Sequence, residues 1–359
     1  MSPGKSCRYI FRKLSMFNRQ GRPGALINHT DNFIHVARLV RLEAKPLEVD
    51  SLAEFHASDE DGFGTWLSAN FTDFVGRGYV PAYCSFHPSQ RVVVRDNVNG
   101  RRLGEPGYLP PLFSEHAKVS SVKEWQISVV SALEGSTPVA DGVVRPSLLV
   151  GLPWTAIREH QQRLLNLGVR PRRLEIGSIP MLGSLQRQLV ATGGGSAIAV
   201  CEIEYSQTRL YVVAKDGVHT LPALPHGLLS ILETAMKEVG APDVATARRQ
   251  LEDPNEAVKM HDRRLVRAIS RHLKPAIDHF ELRTGQRIEW FHCTQLPARL
   301  EWLGGTLAGA VELETLTIDL ESWLTQSQLV VNPGTVELNT SWLATFSVVS
   351  NLAPQILNG

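Results

Sequence analysis

A chain of 359 residues, 43% hydrophobic and 20% charged, is long enough for two α/β lobes or one large domain. Its formal net charge of +1 excludes a global pull toward nucleic acid or a membrane, and no run of about 18 apolar residues could span a bilayer. Four cysteines far apart in sequence (Cys7, Cys84, Cys201, Cys293) exclude a C-x-x-C zinc knuckle or a disulfide framework, and read as buried free thiols of a reducing compartment.

Residues 1–23 read as a basic flexible leader. Lys5, Arg8, Arg12, Lys13, Arg19 and Arg22 occur with no acidic residue before Asp31, and Tyr9, Phe11 and Phe17 interleave. Two readings stay open: a segment upstream of a true start at Met16, or a leader that touches anionic lipid. Ala25 to Ile27, Phe33 to Leu42 and Leu47 to Ala57 predict three strands of a β-meander, joined by the polar turn Asn28 to Asn32 and by Lys45-Pro46. Gly64 to Val75 predicts a helix, and Val80 to Ser85 and Gln90 to Arg95 two short strands. The Gly-, Pro- and Asn-rich stretch from Val98 to Pro111 reads as an exposed loop. Trp125 to Leu133 and Ser147 to Gly151 are strand-like, Trp154 to Leu167 is helical, Pro171 to Ile176 is a strand and Ile179 to Val190 a helix. Thr192-Gly-Gly-Gly-Ser196 reads as a hinge.

The second half repeats the pattern of strand, polar turn, strand, turn in Ala199 to Val213 and Lys215-Asp-Gly217. Partly helical segments follow at Leu224 to Val239 and Val244 to Glu252. A single long amphipathic helix is expected over His261 to Leu282, with a strand at Arg287 to Cys293 and a short helix at Leu296 to Leu303. Val311 to Ile318 is strand-like, Leu320 to Leu324 is a short element, and Ser341 to Leu352 is a last apolar helix.

Few residues carry chemistry by spacing alone. The twelve histidines form no H-x-x-x-H or H-E-x-x-H pair and read as solvated or capping groups. No G-x-S-x-G elbow occurs, and Gly193-Gly-Gly-Ser196 precedes a strand, so it reads as a linker. The arginines of 170–173, 248–249 and 263–264 lack aromatics interleaved on one face and read as solvated, which argues against nucleic-acid binding. The seven tryptophans read as core, with Trp154, after Gly-Leu-Pro, the one expected at a subdomain junction.

The stretch Arg145 to Leu189 has a strand, the turn Gly151-Leu-Pro153, a helix ending near Leu167-Gly168, a short strand, and Glu175-Ile-Gly-Ser178 leading into the next helix. With the hairpin that follows, this order resembles the actin-like superfamily, and within it the PilM-type pilus assembly proteins and the related FtsA-type cell-division proteins. The resemblance implies an α/β, ribonuclease H-like two-lobe fold with mixed sheets. It places a first lobe at 24–192 with an inserted subdomain at about 82–167, a second lobe at 193–340, and a helix at 341–359 returning to the first lobe. Nucleotide contacts would then fall at Asn28, Thr30 and Asp31 in the first hairpin, and at Glu202, Glu204, Ser206 and Thr208 in the second. The glycines of those loops are missing: the first turn has none, the second reads Glu202-Ile203-Glu204, and Gly304-Gly305 arrives a helix after Cys293.

Glycine lets a phosphate approach the backbone, whereas a carboxylate beside a polyphosphate costs about 1–4 kcal/mol at ~4 Å. Hence Asp31, Glu202 and Glu204 read as polar turn residues rather than catalytic ones, no cofactor is expected, and the chain leans away from being an enzyme. The alternative is an active ATPase in which Asp31 and Glu202 organise magnesium for ATP. The resemblance further implies an adaptor at the inner face of the cytoplasmic membrane, in the cytoplasm. It would hold the N-terminal tail of a PilN-like inner-membrane protein among other platform proteins, with Val80, Tyr83, Phe86, Ile127, Val129 and Trp154 lining the groove. A type II secretion L-protein relative is the lesser alternative.

Overall fold

The computed structural model describes residues 22–42, 46–74, 78–119, 121–193, 195–332, 334 and 338–350. The basic leader before Arg22, with Met16 and Cys7, and the middle glycine of the expected hinge lie outside the described residues.

Three antiparallel strands open the chain: β1 (Gly24–His29), β2 (Phe33–Leu39) and β3 (Leu47–His56). Helix α1 (Glu60–Asn70), capped by the Asp59 carboxylate on Gly62 N, leads to β4 (Val80–Phe86), which pairs parallel to β1. β4 is buried along its whole length, as a strand covered on both faces must be. A three-stranded antiparallel sheet is then inserted. It comprises β5 (Val92–Asn99), β6 (Trp125–Ser131) and β7 (Val144–Pro153), in the order β5-β7-β6, with α2 (Leu109–Ala117) over one face. The chain returns through α3 (Trp154–Asn166) and β8 (Val169–Ile176) to α4 (Ile179–Ala191).

The second sheet has the order β11-β10-β9-β12-β13. It is built from β9 (Ala197–Ile203), β10 (Thr208–Ala214), β11 (Gly217–Thr220), β12 (Ile288–Thr294) and β13 (Glu314–Thr315). Between β11 and β12 run α5 (Leu228–Val239), α6 (Val244–Glu252), the single turns α7 (Glu256–Lys259) and α8 (Asp262–Leu265), and α9 (Arg267–Thr284). After β12 come α10 (Trp302–Ala310) and α11 (Leu320–Gln326). β14 (Leu329–Val331) then crosses back to pair parallel with β3, so the first sheet reads β14-β3-β2-β1-β4-β8. Finally α12 (Leu343–Ser350) packs on α4, β1 and β4.

One apolar core runs from the first sheet to the second. Leu26, Leu182, Leu185, Val200, Tyr211, Trp342 and Phe346 all belong to it. α4 is buried nearly all round, which marks a helix held between layers rather than on a surface. The two lobes therefore share a core through α4 and α12.

Several elements differ from the sequence expectation. The stretch from Val98 to Pro111 is a loop only in its middle: β5 continues to Asn99, Gly100–Gly104 form a short 3-10 turn, and α2 begins at Leu109, because Pro110 and Pro111 fall in the first helical turn, where no donor is missed. The long helix expected from His261 is divided at Val266, which, like Leu265, is fully buried against the second core. Only Glu314–Thr315 of the expected strand at 311–318 pairs. The inserted sheet spans 92–153, narrower than 82–167, since β4 and α3 belong to the first lobe.

Candidate functional site

The two hairpin turns face each other across the cleft, and each is closed without glycine. In the first, Thr30 substitutes for it: its hydroxyl accepts from Asn32 N at 3.0 Å and from Phe33 N at 2.9 Å, while Thr30 N donates to Phe33 O. In the second, Glu204 N donates to Gln207 O at 2.9 Å, and Gln207 Nε2 returns a bond to Glu204 Oε2 at 2.5 Å. The close approach that a loop glycine would supply comes from Gly227 instead. A Cβ there would lie 2.4 Å from Glu204 O and 2.6 Å from Gln207 N. The first turn of α5 then uses its free donors on the hairpin itself, Leu228 N on Glu204 O and Leu229 N on Tyr205 O. Those N–H groups are the ones a helix N-terminus would otherwise offer to an anion.

Between the turns lies a dry ionic cluster. His87 and Arg91, on the connection from β4 to β5, reach into the cleft and are shielded from solvent. His87 Nε2 donates to Asn28 Oδ1 at 2.9 Å, an oxygen that also accepts from Ser85 Oγ at 2.8 Å, and His87 Nδ1 lies 2.6 Å from Glu202 Oε1. Arg91 Nη2 lies 2.6 Å from Glu202 Oε1 and 2.6 Å from Glu204 Oε1. Arg209 Nε donates to Glu204 Oε1 at 2.8 Å and Arg209 Nη2 to Ser89 O at 2.7 Å. Gly177 makes room for Arg91, since a Cβ on it would meet the guanidinium Nε at 2.9 Å. Burial alone would raise the Glu202 carboxyl, but the Arg91 charge and then His87 hold it well below its ordinary range. Burial likewise opposes charge on Arg91, and Glu202 and Glu204 more than reverse it. The two carboxylates are paired with two guanidiniums and the His87 ring, as buried charges must be.

Asn32 joins the lobes directly. Its Nδ2 donates to Ile203 O at 3.1 Å and to Gln295 O at 3.0 Å, and its own carbonyl accepts from Arg248 at 3.3 Å. Gln295, at φ 68°, sits where the resemblance expects glycines against an adenosine, and its side chain donates to Ser178 Oγ. Gly304 and Gly305 lie within α10. On the far side of the cleft His35 stacks on Trp342 with ring centroids 4.0 Å apart and lies 2.6 Å from Glu54 Oε2, which also accepts from Ala298 N.

Beside the first turn a cavity of about 290 Å³ opens, lined by His29, Thr30, Asp31, Phe86, His160 and Arg163 among others. His160, on α3, stacks between Phe86 (4.3 Å) and His29 (5.1 Å). Burial, then Arg163 and His87, push the His160 ring down to about 3. Burial, then His160 and Arg163, lower His29 well below 6.5. Asp31 is raised by burial and by Glu204. Among the described residues no group of three His, Cys, Asp or Glu side chains is placed to hold a metal.

The structure thus gathers Asn28, Thr30, Asp31, Glu202 and Glu204 around one cleft. Ser206 is exposed at the hairpin tip, and Thr208 is buried, donating to His226 O at 2.7 Å. The sequence reading missed His87 and Arg91, which fill the cleft. It also took the histidines as solvated or capping, whereas His29, His35, His87, His219 and His292 are buried. No spacing rule would have found His87 and Arg91, because their carboxylate partners Glu202 and Glu204 lie more than 100 residues away. The one local sign is two ionisable residues, four apart, directly after a strand without a charged residue. Of the groove residues, Val80, the first residue of β4, and Tyr83 are buried, while Phe86 reaches the cavity. Ile127 and Val129 are half-buried against the small core under α2, and Trp154, 41% exposed, opens α3.

Neither a family model nor a curated relative matches the chain. Among solved structures, the PilM-PilN type IV pilus biogenesis complex contains a chain matched at TM-score 0.67 and 14% identity, over 95% of this chain and 100% of that one. The cytoplasmic domain of EpsL, an inner-membrane component of the Vibrio cholerae type II secretion system, matches at TM-score 0.39 and 10% identity, over 94% and 98%. A Bacteroides thetaiotaomicron protein with an actin-like ATPase fold matches at TM-score 0.44 and 10% identity, over 87% and 99%. The first of these likenesses extends over both lobes and the inserted sheet, and the chain has the actin-like α/β fold.

Proposed function

We propose that this chain is a PilM-like adaptor of a type IV pilus assembly or related secretion platform. It holds the N-terminal tail of a PilN-like inner-membrane protein, and it works at the inner face of the cytoplasmic membrane through that partner, without a nucleotide. The observation that carries the reading is the filled cleft: the space between the two hairpins is taken by the side chains of His87 and Arg91, and α5's first donors are spent on the chain's own carbonyls. A fold whose cleft is stitched shut by Asn32 and a cluster of paired buried charges has a rigid body to offer rather than an opening and closing one. The likeness to a chain of the PilM-PilN complex supports a PilN-like partner. So does β6, which pairs with β7 alone among the described residues and leaves a strand edge available to an extended tail.

Titration calorimetry of the purified chain with a synthetic PilN-like tail checks the partner, and absence of any binding heat removes this reading. A thermal-shift series with Mg-ATP checks the other half. Ligand at ~100 times its dissociation constant adds about 2.7 kcal/mol, so a rise in melting temperature restores the ATPase alternative, and a flat trace is the expected result.

A further inference from the structure

The pole of the first lobe farthest from the cleft carries a surface that the cleft does not use. β1 and β4 both begin there, at Gly24 and Val80, and end in the cleft at His29 and Phe86. Six or seven residues of strand place the two ends roughly 20 Å apart. A cavity of about 590 Å³ opens at this pole, lined by Arg22, Asp73, Phe74, Tyr79, Arg170 and Arg172 among others. Arg22, Arg170 and Arg172 are exposed and make no ion pair among the described residues, and Arg41, on the strand end beside Arg22, is exposed as well. Against them stand two exposed carboxylates, Asp73 in the cavity and Glu48 at the start of β3. Tyr79 is 49% exposed on the rim, an aromatic ring with a polar tip of the kind that suits a headgroup layer.

The chain enters the fold at this place: Arg22 O accepts from Leu42 N at 3.1 Å. The residues before it add Lys5, Arg8, Arg12, Lys13 and Arg19, with Tyr9, Phe11 and Phe17 between them and no acidic side chain. Leader and pole therefore carry the same sign. An anionic surface complements both. We infer that this pole is a docking face for a membrane containing anionic lipid, which adds a direct contact with the bilayer to whatever a protein partner supplies. The inference stands apart from the tail-binding proposal, since the cavity at this pole includes neither the β6 edge nor Trp154.

The test is sedimentation of the full-length chain with vesicles of phosphatidylcholine alone and of phosphatidylcholine with phosphatidylglycerol. Binding to the anionic vesicles only, abolished in ~1 M salt where the Debye length is about 3 Å, is expected. Each cation near such a surface multiplies partitioning by about fivefold. R170E/R172E should therefore weaken it by at least ~25-fold, with melting temperatures unchanged because the pole arginines are exposed. Equal binding to neutral vesicles, or no binding to either, overturns the inference. Full binding by R170E/R172E overturns the role of the pole, and tighter binding to duplex DNA than to the vesicles assigns the face to nucleic acid instead.

Discussion

Arg91 Nη2 lies 2.6 Å from Glu202 Oε1, and neither side chain has any exposure to solvent. A buried pair of this kind is weak support for stability as a whole, because desolvation offsets attraction, but removing one member leaves a charge with no water and no partner. Arg91→Met is expected to cost about 3–5 kcal/mol in urea unfolding, and adding Glu202→Gln to it should recover part of that loss. If R91M unfolds at the wild-type midpoint, the cluster is not what holds the cleft closed. The acid limb follows from the same pair. The folded Glu202 carboxyl lies below its ordinary 4.5, so its contribution is present above that pH and is lost as the pH falls through it.

The stacked pair His29 and His160 gives a separate pH dependence. Both rings stay neutral in the fold below the pH at which the unfolded chain takes up protons, near 6.5. Stability is then full above pH 6.5 and declines as the pH drops toward about 3. Each such ring adds a slope of ~1.4 kcal/mol per pH unit. His160→Phe keeps the stack on Phe86 and should remove one ring's share of the slope when unfolding is compared at several values between those limits. An unaltered slope would show that His160 does not titrate with folding.

Asn32 tests the direct bridge between lobes. Replacing it with Ala removes two bonds to buried carbonyls, at a cost of about 2 kcal/mol. Asn32→Asp should cost more, since a carboxylate would then face two acceptors, Ile203 O and Gln295 O. Melting temperatures in the order wild type, N32A, N32D are the expected result, and the reverse order of the two variants would refute the assigned hydrogen bonds.

Trp154 is the exposed aromatic at the start of α3, 41% accessible. If it anchors the tail, Trp154→Ala should weaken PilN-like peptide binding by roughly 30-fold, the size of an interface hot spot, while leaving the unfolding midpoint within about 0.5 kcal/mol of wild type. Unchanged affinity would move the groove away from α3.

The sequence by itself determined the strand-turn-strand order in both halves, the return through α3, β8 and α4, and the absence of glycine from both cleft turns. These features are local: alternation, apolar runs and turn residues act over a few positions, so they survive in one dimension. It also supplied Asn28, Thr30, Asp31, Glu202 and Glu204 as neighbours of one cleft, because hairpin turns at equivalent places in two lobes must face each other once the fold is actin-like. Other features were decided only by tertiary structure. Pro110 and Pro111 look like breakers in sequence, yet they begin α2, since a proline costs nothing where no donor is used. β14 is too short to announce itself, and it exists because β3 offers an unpaired edge. Above all, His87 and Arg91 carry no recognisable spacing, and their partners Glu202 and Glu204 are more than 100 residues away. Charges meet across a cleft through three-dimensional burial, which no pattern along the chain records. For that reason the sequence could show that the glycines were gone, and the folded chain alone shows what stands in their place.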